Sequence, residues 1–532
     1  MTERGVRFFR NGTVLALSAL LMRTVSVSFG AYVTGKIGPE GMGLYSLIMS
    51  VYTFAVTFAT SGVQLATTRL VAEAAGQGDL AGMRAALRTA LLYALSFGAV
   101  GSVVLFAGSG FFGRVLLGDG RTVPALRLLS VALVPVALSS VFSGYFTAVR
   151  RPSRSAAVSV VEQGIRIILT VFALTALLPK GMTYACLALV GGSAIAEILS
   201  AIIHGTLYAI DVRRLRKGAS GGLALRPLLE ITLPIAASSY VRSGLVSAEH
   251  MLIPRALSKG TASREEAVAA YGTLSGMALP IALYPMAVLS AFAGLLVPEL
   301  AEDAAKGRTA SNRRLAERTF TLTLWFGIAV GGVMAAGATA LSDAVYGSPE
   351  AGRYLALLAP ILPVMYLDHV TDVMLKGLGR QVYTMGVNIL DSLLSILLVV
   401  LLLPHLGAMG YVLVILIAEV FNFGLSISGL RAALDFRFPF LRAVLLPLAS
   451  VLLSVALSRR LVPAGGIPML ILFCLVALLL YAGILALLLF LFDGRTLRSH
   501  RCRIQNPLDK TPDIGYNICI CGRDRESAGK GE

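Results

Sequence analysis

GIPMLILFCLVALLLYAGILALLLFLF, residues Gly466 to Phe492, contains no charged side chain. A helix needs about 20 apolar residues to cross the hydrocarbon core of a bilayer, and this run is longer than that. Upstream, similar runs recur at 11–33, 44–67, 86–110, 123–148, 155–178, 183–208, 228–251, 272–297, 316–340, 353–375, 381–403, 408–431 and 441–459. Each is expected to be a helix, because an open strand would leave backbone groups unpaired in lipid. A membrane barrel would alternate polar and apolar residues, and these runs do not. Internal prolines such as Pro135, Pro234, Pro285 and Pro363 are compatible with kinked membrane helices. Composition agrees: of 532 residues, 56% are hydrophobic and 14% charged, with a mean hydropathy of +0.79. A soluble chain of this size has no interior large enough for that apolar surface. The expected fold class is an all-α membrane protein with fourteen transmembrane helices.

The formal net charge of +17 would point to nucleic acid in a soluble protein. Here the basic residues sit in short connections between apolar runs, so they bear on orientation and not on nucleic acid. One set of connections holds Arg4, Arg7, Arg10, Arg84, Arg88, Arg150, Arg151, Arg154, Arg213, Arg214, Lys306, Arg308, Arg313 and Arg314. The opposite set is poorer, with Lys36, Arg114, Arg121, Lys180, Lys259 and Arg264 among its members. The rich side is expected to face the cytoplasm, with both termini there, in a plasma or inner membrane. The first run is too long for the apolar core of a cleavable signal. The five cysteines are scattered, with Cys186 and Cys474 in apolar runs, so no disulfide framework is indicated. Cys502, Cys519 and Cys521 in the tail lack the paired spacing of a zinc site.

The two halves repeat. GMGLYSLIMSVYT leads to LVAEAAGQGD in the first, and AYGTLSGMALP leads to LVPELAEDAAKG in the second. Tyr45 aligns with Tyr271, Glu73 with Glu299, Glu162 with Asp391 and Tyr184 with Tyr411, at a nearly constant separation. Six helices per repeat is an even number, so the repeats share one orientation. Two parallel bundles related by an axis along the membrane normal form a transporter architecture with the substrate cavity between them. The expected organisation is a six-helix bundle over 1–210, a basic cytoplasmic linker over 211–227 and a second bundle over 228–434. Two additional helices over 435–492 and a basic cytoplasmic tail over 493–532 complete it.

Several stretches also resemble a known family. They are GPEGMGLY (Gly38–Tyr45), SGVQLATTRLVAE (Ser61–Glu73) and VVEQGIRIIL (Val160–Leu169), with YGTLSGMALPIALYPMAVLSAFAGLLVPELAE (Tyr271–Glu302) and LLAPILPVMYLDHVTDVMLKGLGRQVY (Leu357–Tyr383). Together they are similar to the stage V sporulation protein B-like exporters of the multidrug/oligosaccharidyl-lipid/polysaccharide flippase superfamily. The resemblance covers Arg10 to Phe492 and stops at the tail. It implies alternating access and movement of an undecaprenyl pyrophosphate-linked saccharide, or of the lipid-linked peptidoglycan precursor, in cell-wall or sporulation-linked polysaccharide synthesis.

Charges at mid-membrane are costly and face a cavity or a partner. Arg23 lies at the centre of the first run. Its planar fork suits a lipid pyrophosphate, and the resemblance implies a needed arginine in that helix; the alternative is an ion pair with a neighbouring helix. Arg166 follows Glu162 by one helical turn, which favours a self-neutralised pair over substrate contact. Arg242, two turns before Glu249, is placed evenly between cavity and inter-helix pairing. Arg69 and Arg255 sit near helix ends, where snorkelling is the default. Glu197, Asp368, Asp391 and Glu419 are also deep. Arg23, Arg166, Arg242 and Glu197 are therefore the candidate substrate contacts. Asp368, His369 and Asp372 are the candidate site for a coupling ion, H+ or Na+; the bland alternative is a polar helix contact satisfied by Asn388.

No Walker A sequence occurs and no connection is long enough for a catalytic domain, so neither ATP hydrolysis nor any cofactor is expected. The leading function is a flippase whose partners are its lipid-linked saccharide, membrane lipids and the coupling ion. A cation-coupled multidrug exporter of the same superfamily is the alternative. A membrane glycosyl polymerase or ligase ranks below both, because every outer connection is short.

Overall fold

The structure, a computed structural model, describes residues 3–213, 225–259, 263–435, 440–463 and 465–504. The centre of the expected basic linker, most of the expected tail and the tail residues Cys519 and Cys521 lie outside what is described. Every regular element among the described residues is helical. In chain order these are α1 (Glu3–Thr60), α2 (Val63–Gly76), α3 (Leu80–Gly110), α4 (Val123–Ala148), α5 (Pro152–Leu177) and α6 (Met182–Arg213). The second half continues with α7 (Leu225–Leu257), α8 (Arg264–Tyr271), α9 (Leu279–Ala282), α10 (Met286–Ala305), α11 (Thr309–Tyr346), α12 (Pro349–Leu358), α13 (Leu362–Gly377) and α14 (Gln381–Leu434). Last come α15 (Leu446–Leu461) and α16 (Ile467–Ile504).

Ten of these helical stretches are long and apolar enough to cross a membrane, or eleven if the pair α8–α9 and α10, bent by 59°, is one span. The sequence led us to expect fourteen. Two physical causes account for the difference. First, α1 has 58 residues and α14 has 54. At 1.5 Å per residue each would run ~80 Å if straight, far beyond a core of ~30 Å. Each is interrupted by a non-helical glycine, Gly38 (φ 69°) and Gly407 (φ 58°), so each holds two of the expected apolar runs. Gly38 precedes Pro39, and proline drives its predecessor out of the helical region. Second, α7 carries Arg242, Glu249 and His250 within its apolar run and so does not count as apolar.

The prolines behave as expected of membrane helices. Pro135 and Pro234 lie inside α4 and α7, Pro285 caps α10 at the bent junction, and Pro363 opens α13. In the first half α4 is central, packed on α2, α3 and α6, with α5 against α6. In the second half α13 packs on α10, α11 and α14, and α7 lies along α14. The last two helices pack on each other and on α11. One buried cluster joins the halves: Leu44, Leu47 and Ile48 of α1 meet Leu129 of α4, Ile253 of α7, Val268 of α8 and Tyr411 of α14.

At one end, the distal face, α1 and α8 meet backbone to backbone. A Cβ added at Gly43 would lie 2.1 Å from the Val268 carbonyl oxygen, and one at Gly272 would lie 2.1 Å from the Pro39 carbonyl oxygen. Only glycine permits that approach. The contact at Gly43 and Gly272 joins the two halves of the chain.

Candidate functional site

Three groups of polar side chains lie within the apolar helices. The first is in the amino-terminal half. One helical turn on α5 brings Arg166 to 2.6 Å from Glu162, as the four-residue spacing requires. Arg166 also reaches Gln163 at 3.3 Å and stands 4.0 Å from Glu197 of α6. The Tyr52 hydroxyl on α1 donates to Glu197. Two carboxylates thus share one guanidinium and one phenol. Glu197 sits in this cluster and not beside Arg23.

The second group surrounds Arg23 on the first part of α1. Its Nε is buried without a hydrogen-bond partner. Among the described residues it has no ion-pair partner. Its neighbour Thr24 shares a 2.7 Å hydrogen bond with the Tyr284 hydroxyl, just ahead of α10. The phenol of Tyr346, at the end of α11, lies within electrostatic reach of Arg23. Arg23 therefore stands where the first half of the chain faces the second.

The third group is in the carboxyl-terminal half. Asp368 accepts 3.0 Å from Asn422, while its Oδ1 and the Oδ1 of Asp391 are buried without partners. Asp391 and Glu419 lie within electrostatic reach of Asp368, and Glu249 within reach of Asp391. Arg242 is solvent- or lipid-exposed and acts on Asp368 and Asp391 only at a distance. Glu249 is bonded by Ser395 and not by Arg242. The three candidate ion ligands have separate partners: Asp368 has Asn422, His369 shares 2.9 Å with Ser290, and Asp372 pairs with Lys376 at 2.5 Å. Asn388 is bonded to its own helix at Thr384, so Asn422 supplies the partner expected of Asn388. Among the described residues no three His, Cys, Asp or Glu side chains are grouped to hold a metal ion.

The distal face carries a fourth polar group. Beyond α3 the chain makes a π-helical turn over Phe111–Leu116. Its carbonyls form the negative end of a long helix. Arg255, from the last turn of α7, donates to the Val115 carbonyl, and Arg264 of α8 donates to that of Leu117. Arg255 was expected to snorkel to water; instead it caps a helix of the other half. Arg121 bridges Asp119 and Glu40, each at 2.7 Å. Burial works against the Asp119 carboxylate, but the hydrogen bonds from the Arg121 side chain and backbone outweigh it and hold Asp119 below the usual range. Arg69, at the opposite end, pairs with Glu73 at 2.8 Å, and both are exposed.

Tyr52 and Asn422 had no signal in the sequence, since a tyrosine or asparagine in an apolar run has no visible partner there. Asp391 and Glu419 did have one: each is a lone carboxylate in a membrane run.

The family model described as "Polysaccharide biosynthesis protein" matches residues 8–302. Stage V sporulation protein B of Bacillus subtilis (strain 168) is 25% identical over 425 residues, which are 77% of this chain and 81% of that protein. Lipid II flippase MurJ of the same organism is 22% identical over 484 residues, 85% of this chain and 88% of that one. Among solved structures, lipid II flippase MurJ in an inward closed conformation superposes with a TM-score of 0.64 at 14% identity, covering 89% of this chain and 98% of that one. An inward-facing multidrug resistance MATE family transporter of the MOP superfamily superposes with a TM-score of 0.60 at 16% identity, covering 79% and 98%.

Proposed function

The chain belongs to the polysaccharide biosynthesis protein family, and from that premise we propose that it moves an undecaprenyl pyrophosphate-linked saccharide across the cytoplasmic membrane by alternating access. In this reading the distal face is extracytoplasmic and the termini are cytoplasmic. The chain crosses fourteen times, as two six-helix bundles over 1–210 and 228–434 and two further helices. The observation that carries the substrate class is Arg23. An arginine stays charged when buried, so it needs an anion. Among the described residues none pairs with it, and it stands at the seam between the halves. A lipid pyrophosphate supplies that anion during transport. The glycine contact and the Arg255 and Arg264 bonds are the closed outer gate of this conformation. Equilibrium binding of a polyprenyl pyrophosphate tests the assignment: Arg23→Ala should weaken it at least tenfold, and unchanged binding overturns it.

A second reading, cation-coupled drug export, is favoured by Asp368 and Asp391, each with one buried carboxylate oxygen that lacks a partner. A coupling ion, H+ or Na+, is then held there with Glu419 alongside, and His369 and Asp372 take no direct part. Drug efflux driven by an ion gradient in proteoliposomes, with no movement of lipid-linked sugar, would select this reading.

A further inference from the structure

Between the halves, away from Arg23, a cleft of about 580 Å³ opens between α1, α3 and α7. Phe54, Phe58, Val104, Gly244 and Met251 give it apolar walls. Val104 is 55% exposed, so the cleft opens on the outside of the protein. Glycines make the space. A Cβ at Gly101 would meet the Phe58 ring at 3.4 Å, and one at Gly244 would meet the Phe54 ring at 3.5 Å. One charged residue lines the cleft, Arg255, in the last turn of α7.

We propose that this cleft binds one acyl chain of an anionic phospholipid from the surrounding bilayer, with Arg255 holding the phosphate. The charge pattern selects the occupant. A membrane helix of 33 residues ends at the headgroup level, and Arg255 lies in its last turn there. No carboxylate lines the cleft to neutralise it. Its bond to the Val115 carbonyl uses one guanidinium donor of five and leaves the rest for phosphate oxygens. The cleft has the size of a small-ligand site, which fits an acyl chain and not the far longer polyprenyl chain of a lipid-linked sugar. The bound lipid touches α1 and α3 of one half and α7 of the other. Its affinity therefore depends on how the halves are placed, and its binding favours the placement seen here. The inference rests on the reading that α7 crosses the membrane, not on the substrate assignment.

The test uses the full-length purified protein and phosphatidylglycerol with a photoreactive acyl chain, compared with phosphatidylcholine. Labelling should concentrate on peptides containing Phe54 and Phe58, Gly101 to Phe112, and Gly244 to Met251. By native mass spectrometry, Arg255→Gln should lower phosphatidylglycerol retention about fivefold, the effect of one basic residue at an anionic surface. Arg255→Lys should keep most of it, and in Arg255→Gln phosphatidylglycerol retention should fall more than phosphatidylcholine retention, so that the preference for the anionic lipid is lost. Gly244→Leu, or Gly101→Leu if the first variant folds poorly, should fill the cleft and lower retention of both lipids. Label spread evenly over other exposed faces, such as α16 around Leu479, overturns the proposal. So does phosphatidylglycerol retention that is indifferent to Arg255→Gln.

Discussion

Gly43→Ala should open the distal face. The added Cβ would stand 2.1 Å from the Val268 carbonyl oxygen, whereas real Cβ atoms essentially never come within 3.0 Å of another heavy atom. The obstacle is backbone, so no rotamer change relieves it, and α1 and α8 must part by about 1 Å. Overpacking of this kind costs about 1–3 kcal/mol. That cost falls on the closed arrangement alone, because the contact joins the two halves. At 1.4 kcal/mol per tenfold, the ratio of open to closed protein should rise about 5- to 140-fold. Spin labels at Arg114→Cys and Lys259→Cys, both exposed and on opposite halves, report the separation by pulsed dipolar spectroscopy in a background lacking the native cysteines. Gly35→Ala is the control on the same helix, since its Cβ would meet nothing within 4 Å. A longer distance in Gly43→Ala, with Gly35→Ala unchanged, is the expected outcome. Identical distance distributions in all three proteins would refute the assignment of this contact to the gate.

Further outcomes follow from the other polar groups. Arg23→Ala should abolish complementation of a flippase-deficient strain at near-normal membrane abundance, and Arg23→Lys should restore it in part, because a point charge replaces a planar fork; lost abundance would instead mark a structural ion pair. Tyr52→Phe removes the hydrogen bond to Glu197 and should cost about 1–3 kcal/mol by leaving a buried carboxyl oxygen without its donor, seen as a lower melting temperature in detergent. Asp119 is held below its usual range, so its pairing with Arg121 stabilises the protein above the ordinary carboxylate pKa and fades as pH falls through the depressed value. Melting curves between neutral and strongly acid pH should show that loss in the wild type and a smaller one in Asp119→Asn.

Apolar runs were readable one by one, because length and lack of charge suffice to mark a membrane helix. Their division was legible at Gly38 and Gly407, where Lys36, Glu40 and His405 interrupt the apolar runs and the backbone leaves the helical region. The outline of α7 was less so, because it carries Arg242, Glu249 and His250. The Glu162–Arg166 pair was legible because one turn of helix fixes it. Glu197 found Tyr52 and Arg166 through the packing of α1, α5 and α6, which no spacing records. Asp368, His369 and Asp372 look like one group along the chain, yet each turns to a different helix or rung. Arg255 and Arg264 read as ordinary end-of-helix cations, and only the fold brings them to the carbonyls of Val115 and Leu117.

The most direct test is translocation. Purified protein reconstituted in liposomes, with a fluorescent undecaprenyl pyrophosphate-linked saccharide in both leaflets, is challenged from outside with a membrane-impermeant quencher. A flippase brings the protected inner-leaflet probe within reach of the quencher, so the quenched fraction should climb beyond the outer-leaflet share in wild-type vesicles. In Arg23→Ala vesicles it should stay at that share. A wild-type signal no greater than that of protein-free vesicles, from folded and correctly inserted protein, would contradict the assignment of lipid-linked saccharide as the cargo.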